Sequence, residues 1–212
     1  MEFMTGKKEK EVLDLAAVFA DGMEGREVKV NGAIMSVRNM GDIAFVILRK
    51  RDGVLQTVYE KGMTDADFTE LREETFVEVS GVLRKEERAP RGMELRLKSV
   101  RILSKPEEPM PIAVSKWKMS ASLEAKLDMR SLTLRNLRER ARFRIQEGIA
   151  RAFREYLHGE GFTEIHSPKI GAKGAEGGAN VFKLDYFHRP AVLAQSPQFY
   201  KQMMVGVFDR VM

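Results

Sequence analysis

The chain has 212 residues, with 36 Lys plus Arg against 31 Asp plus Glu and a formal charge of +5. That length holds one large domain or two small ones, and with 43% hydrophobic and 32% charged residues the composition is globular rather than disordered. The absence of cysteine excludes disulfides, thiolate metal sites and a cysteine nucleophile from these residues. No apolar run approaches the ~18 residues of a membrane span, and the opening MEFMTGKKEKE lacks the apolar core of a signal peptide. A soluble, cytoplasmic protein without a membrane partner is therefore expected, and the basic excess suits a polyanionic partner.

The first half reads as strands. Val28 and Val30 alternate with polar residues, and after Gly32 the apolar parity flips to Ala33, Met35 and Val37. A glycine at such a flip predicts a bulge or bend in one long strand. Residues 43–48 form a continuous apolar run, Asp52-Gly53 marks a tight turn, and 54–59 make a third strand. Residues 65–74 are rich in Asp, Glu, Leu and Arg and predict a short helix. Residues 76–84 return to strand with a second parity shift at Gly81, and Met93, Leu95 and Leu97 alternate through a fifth strand. Three strands, a helix and two strands is the order of a bent five-stranded barrel of the OB type, giving a domain over 1–104. A solvated linker is expected at 105–120, where Pro106, Pro109 and Pro111 stand, because proline cannot donate to helices or central strands.

The remainder, 121–212, has a different grammar. Ile145, Ile149, Phe153 and Tyr156 recur at helical spacing and predict a long helix over 140–161, stopped by Gly161. Residues 162–170 read as extended, with Pro168 at an edge. Gly171, Gly174, Gly177 and Gly178 make a loop, and 181–186 with 191–195 a hairpin turning at 188–190. Ser196 and Pro197 suit the N-cap and first turn of a helix running to about residue 205, after which a strand begins at Phe208.

Three groups of residues carry possible chemistry. Arg38, Phe45 and Gln56 fall on the first three strands, where one barrel face can gather them to stack a base, read its edge and hold phosphate. By spacing alone, an aromatic in an apolar run is more often a core residue. Arg130, Arg135, Arg138, Arg140, Arg142 and Arg144, with Glu139 the lone acid among them, read either as a phosphate contact or as a solvated helix entry, the second being the commoner case. Gln198 and Lys201 share a face of a helix's first turns, where the dipole and the ammonium both attract a carboxylate. Glu176 on the glycine-rich loop can meet an amino group. By spacing alone, a surface role for Lys201 and a linker role for Glu176 are the commoner case. His158, His166 and His188 have no metal-ligand spacing.

Taken together, these motifs resemble a known family. Val28-Lys29-Val30-Asn31-Gly32 with Val37-Arg38-Asn39-Met40-Gly41 and Ile43-Ala44-Phe45, then Arg88-Ala89-Pro90, look like the anticodon-binding OB domain of aspartyl-tRNA synthetases of the archaeal type. Gly161-Phe162-Thr163-Glu164-Ile165 through Pro168 looks like motif 1 of the class II aminoacyl-tRNA synthetases. Glu176-Gly177-Gly178-Ala179, Gln195-Ser196-Pro197-Gln198 and Tyr200-Lys201-Gln202 look like aspartate-binding elements. The resemblance implies an α+β, multi-domain fold: the five-stranded barrel, then the start of an antiparallel class II catalytic domain. It implies an ATP- and Mg2+-dependent aspartate–tRNA ligase, a homodimer acting on tRNA(Asp), and on tRNA(Asn) where the third anticodon base is also accepted. Phe45 would stack on the central anticodon uridine, with Gln56 reading it and Arg38 nearby. Glu176, Gln198 and Lys201 would hold L-aspartate, and Pro168 would lie at the dimer interface. Lys201 ranks aspartate above asparagine, whose amide carries no charge for it to meet. An asparaginyl enzyme is the runner-up, and a non-catalytic tRNA-binding or dimerisation module the third reading. Asn39 and Arg91 stand where the family commonly has Asp and Gly. Motifs 2 and 3, with their ATP-binding arginines, and the magnesium carboxylates do not occur in these 212 residues. No catalytic residue is therefore assigned, and the polypeptide by itself is expected to form no aspartyl-adenylate.

Overall fold

The computed structural model describes residues 12–174 and 180–212. By its internal contacts the chain divides into two compact units, Met1–Arg140 and Ala141–Met212.

In the first unit five strands close a barrel: β1 (Glu27–Asn39), β2 (Ile43–Lys50), β3 (Gly53–Glu60), β4 (Phe76–Lys85) and β5 (Met93–Ser104), in the order β1-β2-β3-β5-β4. The alternation in the sequence puts one set of side chains inside. Val28 and Val30, then Val46 and Leu48, Leu55, Val77 and Val79, Leu83 and Leu95 share one buried core. A short helix, α1 (Leu15–Val18), which the periodicity does not announce, adds Leu15 and Val18 to that core; Asp14 caps it by accepting from the Ala17 amide at 3.0 Å. Closure needs one parallel pairing, β3 with β5, among antiparallel ones.

Two local expectations change and one is met. The β1 register slips between Ile34 and Ser36 rather than at Gly32. Gly32 instead admits the neighbouring strand, since a Cβ there would meet the Arg49 carbonyl at 3.0 Å. The helix expected over 65–74 is only a 3-10 turn at Phe68–Glu70, capped by Asp67. Beyond it the backbone turns to β1, with the Glu74 amide on the Ile34 carbonyl at 2.7 Å and the Ile34 amide on that of Thr75 at 2.8 Å. Tertiary pairing outbids helical propensity there. The expected shift at Gly81 is present, between Ser80 and Gly81 against β5. A Cβ on Gly81 would lie 2.0 Å from the Arg96 carbonyl oxygen. Gly81→Ala therefore destabilises the barrel by about 2 kcal/mol, the usual cost of overpacking, read as a lower urea midpoint; an unchanged midpoint would show that β4 and β5 part freely.

The proline-rich segment expected as a solvated connector is packed within the first unit. Ile112, Val114 and Met119 are buried in a small second core with Met129 and Leu132. Asn136 Nδ2 donates to the carbonyls of Val114 and Lys116 at 2.8 and 2.7 Å, and Ser115 Oγ to Glu73 at 3.0 Å. Helices α2 (Leu123–Asp128) and α3 (Arg130–Thr133) follow. Within the arginine-rich stretch, Arg135 reaches Glu74 at 2.8 Å, Arg140 donates to the Lys50 carbonyl at 3.1 Å, and Glu139 is buried beside Lys126. Arg135 and Arg140 are thus anchored, whereas Arg130, Arg138, Arg142 and Arg144 stay exposed, so the solvated entry expected there is met in part.

Helix α4 (Leu137–Gly159) contains the division between units. It starts three residues before the expected residue 140 because Asn136 Oδ1 accepts from the amides of Arg138 and Glu139. In the second unit the α4 stripe Ile145, Ile149, Phe153 and Tyr156 is exposed. Strand β6 (Ile170–Gly171) pairs with β8 (Arg189–Leu193), which pairs with β7 (Lys183–Tyr186). The hairpin turns at Phe187 and His188, both left-handed, so Arg189 and Pro190 already belong to β8. Helix α5 spans Gln198–Phe208. The strand expected from Phe208 is replaced: Phe208 ends α5, Asp209 turns with φ 62°, and the chain pairs with Thr163 only in an isolated bridge at Val211. The extended run expected over 162–170 is a ladder only at that bridge and in β6. Pro168 is exposed between them.

Candidate nucleic-acid interface and helix N-terminal pocket

On β2, Ala44, Val46 and Leu48 point into the barrel, so Ile43, Phe45 and Ile47 point out. Register then decides their neighbours. Arg38 of β1 lies opposite Phe45, Gln56 of β3 opposite Ile47, and Glu94 of β5 opposite Gln56. These residues line one cleft of about 480 Å³, with Arg96 of β5 and with Glu86 and Arg88 from the β4–β5 loop.

A chain of polar contacts crosses its floor. Gln56 Nε2 donates to Glu94 Oε2 at 3.0 Å, and Arg96 Nε donates to Glu94 Oε1 at 2.9 Å. Arg96 also pairs with Glu60. The Glu94 side chain is only 2% exposed. A carboxylate can only accept, so it must meet the amide nitrogen of Gln56. The amide orientation is thereby set, and the Gln56 carbonyl is left to accept from a ligand. At the rim, Glu86 Oε1 accepts from the Arg88 amide at 3.2 Å and from its Nε at 3.0 Å. These bonds hold the Glu86 carboxyl below its ordinary range and push the Arg88 guanidinium up. The cleft thus offers an aromatic face, an acceptor of fixed direction and guanidinium groups at its edge, which together suit an unstacked base and its phosphate.

The second unit holds a separate pocket of about 460 Å³, lined by Ser196, Pro197, Gln198, Lys201, Gln202 and Val205. Pro197 is the cap residue, one place earlier in the helix frame than expected. Ser196 Oγ accepts from the Gln198 amide at 3.2 Å, and the Lys201 amide bonds to the Pro197 carbonyl at 2.9 Å. Gln198 and Lys201 therefore share the exposed first turn of α5, where the positive end of the helix adds to the ammonium. Glu176, expected to join them, lies outside the described residues.

Residues 28–103 match the OB-fold nucleic acid binding domain (anticodon-binding) family model, and residues 122–212 match that of the class II tRNA synthetases (D, K and N). Residues 122–212 thus carry a class II tRNA synthetase domain. Its curated relatives include the aspartate–tRNA(Asp/Asn) ligases of Deinococcus radiodurans, 44% identical over 89% of this chain and 42% of the relative, and of Saccharolobus solfataricus, 40% identical over 89% and 44%. Among solved structures, the asparaginyl-tRNA synthetase of Pyrococcus horikoshii with asparaginyl-adenylate superposes with a TM-score of 0.78 at 29% identity, over 89% of this chain and 44% of that one. The chain thus spans somewhat under half the length of the relatives it matches. Its architecture is a five-stranded OB-fold barrel followed by α/β elements of the class II domain.

Of the residues singled out in the sequence, Arg38, Phe45 and Gln56 share one cleft, and Gln198 and Lys201 share the other pocket. Glu94 and Arg96 were not singled out. Both sit in an ordinary alternation on β5, and only the parallel β3–β5 pairing sets Glu94 beside Gln56.

Proposed function

We propose that this chain forms the anticodon-binding part and the opening of the catalytic part of an ATP-dependent aspartate–tRNA ligase of the archaeal type, acting in the cytoplasm as a homodimer. The observation that carries the tRNA half is the cleft in which Arg38, Phe45 and Gln56 meet, with the Gln56 amide oriented by Glu94. Phe45 stacks on the central anticodon base, and the Gln56 carbonyl accepts from the N3–H of a uridine. Cytidine presents an unprotonated N3 there, and two acceptors repel. Arg38 holds the adjoining phosphate or base.

The names of the curated relatives support aspartate as the amino acid, and so does Lys201. An ammonium at a helix N-terminus rewards a side-chain carboxylate over an amide. Gln198 and Glu176 complete the binding set in this reading. The exposed α4 stripe, with Pro168 after it, provides the apolar surface of the dimer contact. Likeness to the Pyrococcus horikoshii enzyme supports the asparaginyl runner-up, against which Lys201 weighs. Synthetases of this class use ATP and Mg2+. Among the described residues no group of three or more His, Asp or Glu side chains is placed to hold a metal ion. No step is assigned to magnesium here.

The test is binding of unmodified tRNA transcripts to the 212-residue chain, followed by fluorescence anisotropy at two salt concentrations. A tRNA(Asp) transcript binds with a strong salt dependence. Changing its central uridine to cytidine weakens binding about tenfold, the cost of leaving the Gln56 carbonyl unpaired. Changing the third anticodon base to that of tRNA(Asn) reports which of the two tRNAs is accepted. Equal affinity for central uridine and cytidine would remove Gln56 from base reading.

A further inference from the structure

The loop between β4 and β5 carries Glu86 and Arg88, the rim of the base cleft, on one side. On its other side it carries Arg91, whose Cζ lies 4.1 Å from the centroid of the Phe19 ring. Phe19 is the residue that ends α1, and it packs partly buried against the barrel core. We infer that Arg91 and Phe19 form a positioning clamp, through which the N-terminal helix sets the place of the cleft rim for RNA recognition.

Three observations carry this. First, the loop is internally rigid. The Glu86 amide donates to the Gly92 carbonyl at 3.0 Å, the Ala89 amide to the Glu86 carbonyl at 2.9 Å, and the Gly92 amide to the Ala89 carbonyl at 2.9 Å. It therefore moves as one body, so a hold on Arg91 is a hold on Arg88. Second, Arg91 adopts φ 61°, ψ 21°, a left-handed conformation that costs a residue with a Cβ. That conformation aims its side chain at Phe19. Third, the anchor is fixed at its base, because Leu15 and Val18, one turn or less before Phe19, are fully buried in the barrel core. A cation over an aromatic face is attracted by the ring quadrupole. With the rim held, the Arg88 guanidinium waits beside the cleft, and binding RNA need not order it first.

Arg91 here acts through the loop, not by touching RNA, and that distinction is testable. The inference rests on the cleft's being the RNA site, so the experiment includes a readout without RNA. Phe19→Leu keeps the apolar packing and removes the ring; Arg91→Gln keeps the stem and removes the charge. Amide hydrogen exchange over residues 86–92 is measured for the free chain, and tRNA(Asp) transcript affinity and its salt slope for the two single variants and the double. Each single variant raises exchange across the loop and weakens RNA binding by about two- to fivefold, the size of an exposed cation–π contact. The double variant is no worse than either single one. The salt slope is unchanged, since no phosphate contact is lost. Unchanged exchange in both variants would overturn the clamp. So would an Arg91→Gln loss that persists in the Phe19→Leu background with a salt slope lower by about one, because that is the mark of direct phosphate contact. A wild-type chain that holds no tRNA overturns the proposed function and the recognition half of this inference, while exchange still decides the clamp itself.

Discussion

Replacing Glu74 with glutamine lowers the unfolding free energy of the barrel unit by about 3 kcal/mol, the usual cost of breaking a buried ion pair from one side. Its carboxylate is 3% exposed and meets Arg49 of β2 through both oxygens, at 2.5 and 2.9 Å, and Arg135 at 2.8 Å. Glutamine can satisfy part of this geometry but leaves the Arg49 guanidinium, itself only 10% exposed, without its counter-charge. The backbone at Glu74 is left-handed, φ 66°, which costs a non-glycine residue about 1 kcal/mol. The carboxylate explains why a glutamate occupies a position that backbone geometry alone would give to glycine. Urea unfolding followed by circular dichroism measures the loss. Arg135→Gln, at the more exposed of the two guanidinium groups, costs about 1 kcal/mol and retains the fold. Equal stability of Glu74→Gln and the parent would show that the cluster contributes nothing net.

Acid dependence offers a second reading of the same group. Burial pushes the Glu74 carboxyl up, but the hydrogen bonds and charges of Arg49 and then Arg135 outweigh it and hold the carboxyl below the ordinary glutamate value. A value lower in the folded than in the unfolded chain means that the contribution is fully present above the ordinary carboxylate range. It is lost as pH falls through that range and then through the folded value. The stability of the parent thus declines on the acid side more steeply than that of Glu74→Gln.

Phe45→Ala weakens the binding of a tRNA(Asp) transcript on the order of 30-fold, since one base–aromatic stack is worth about 2 kcal/mol. The ring faces outward on β2 and is half-buried in the cleft, so folding stability changes by no more than about 1 kcal/mol. The salt slope is unchanged, because no phosphate contact is removed. Affinity equal to that of the parent would rule out Phe45 as the platform and move RNA recognition off this face.

Much of this architecture is legible in the residues. Alternation around Val28, Val79 and Leu95 marks strands and their inner faces, and the apolar run at 43–48 marks a strand without its inner face. The spacing of Ile145, Ile149, Phe153 and Tyr156 marks α4, and the glycine at 81 marks the place where β5 comes too close for a Cβ. Resemblance reached Arg38, Phe45, Gln56, Gln198 and Lys201, for which spacing alone favours core or surface roles. The failures were also physical. Helical composition over 65–74 was overruled when Glu74 and Thr75 paired with Ile34, and the prolines of 105–120 did not keep that segment in solvent once Asn136 bound its carbonyls.

What the sequence determined by itself is therefore local and periodic: which residues form strands, which face of each is apolar, and which family motifs stand in which order. The apolar run over 43–48 does not say by itself that Phe45 leaves the core, nor does any local pattern say what stands beside Phe45 or Gln56. Only barrel closure decided that. The parallel β3–β5 pairing brings Glu94 against Gln56 and turns its carbonyl outward, and the fold over the barrel brings Glu74, Arg49 and Arg135 together. Those neighbours lie 25 to 61 residues apart in the chain. Their contact depends on register and closure, which no local pattern encodes.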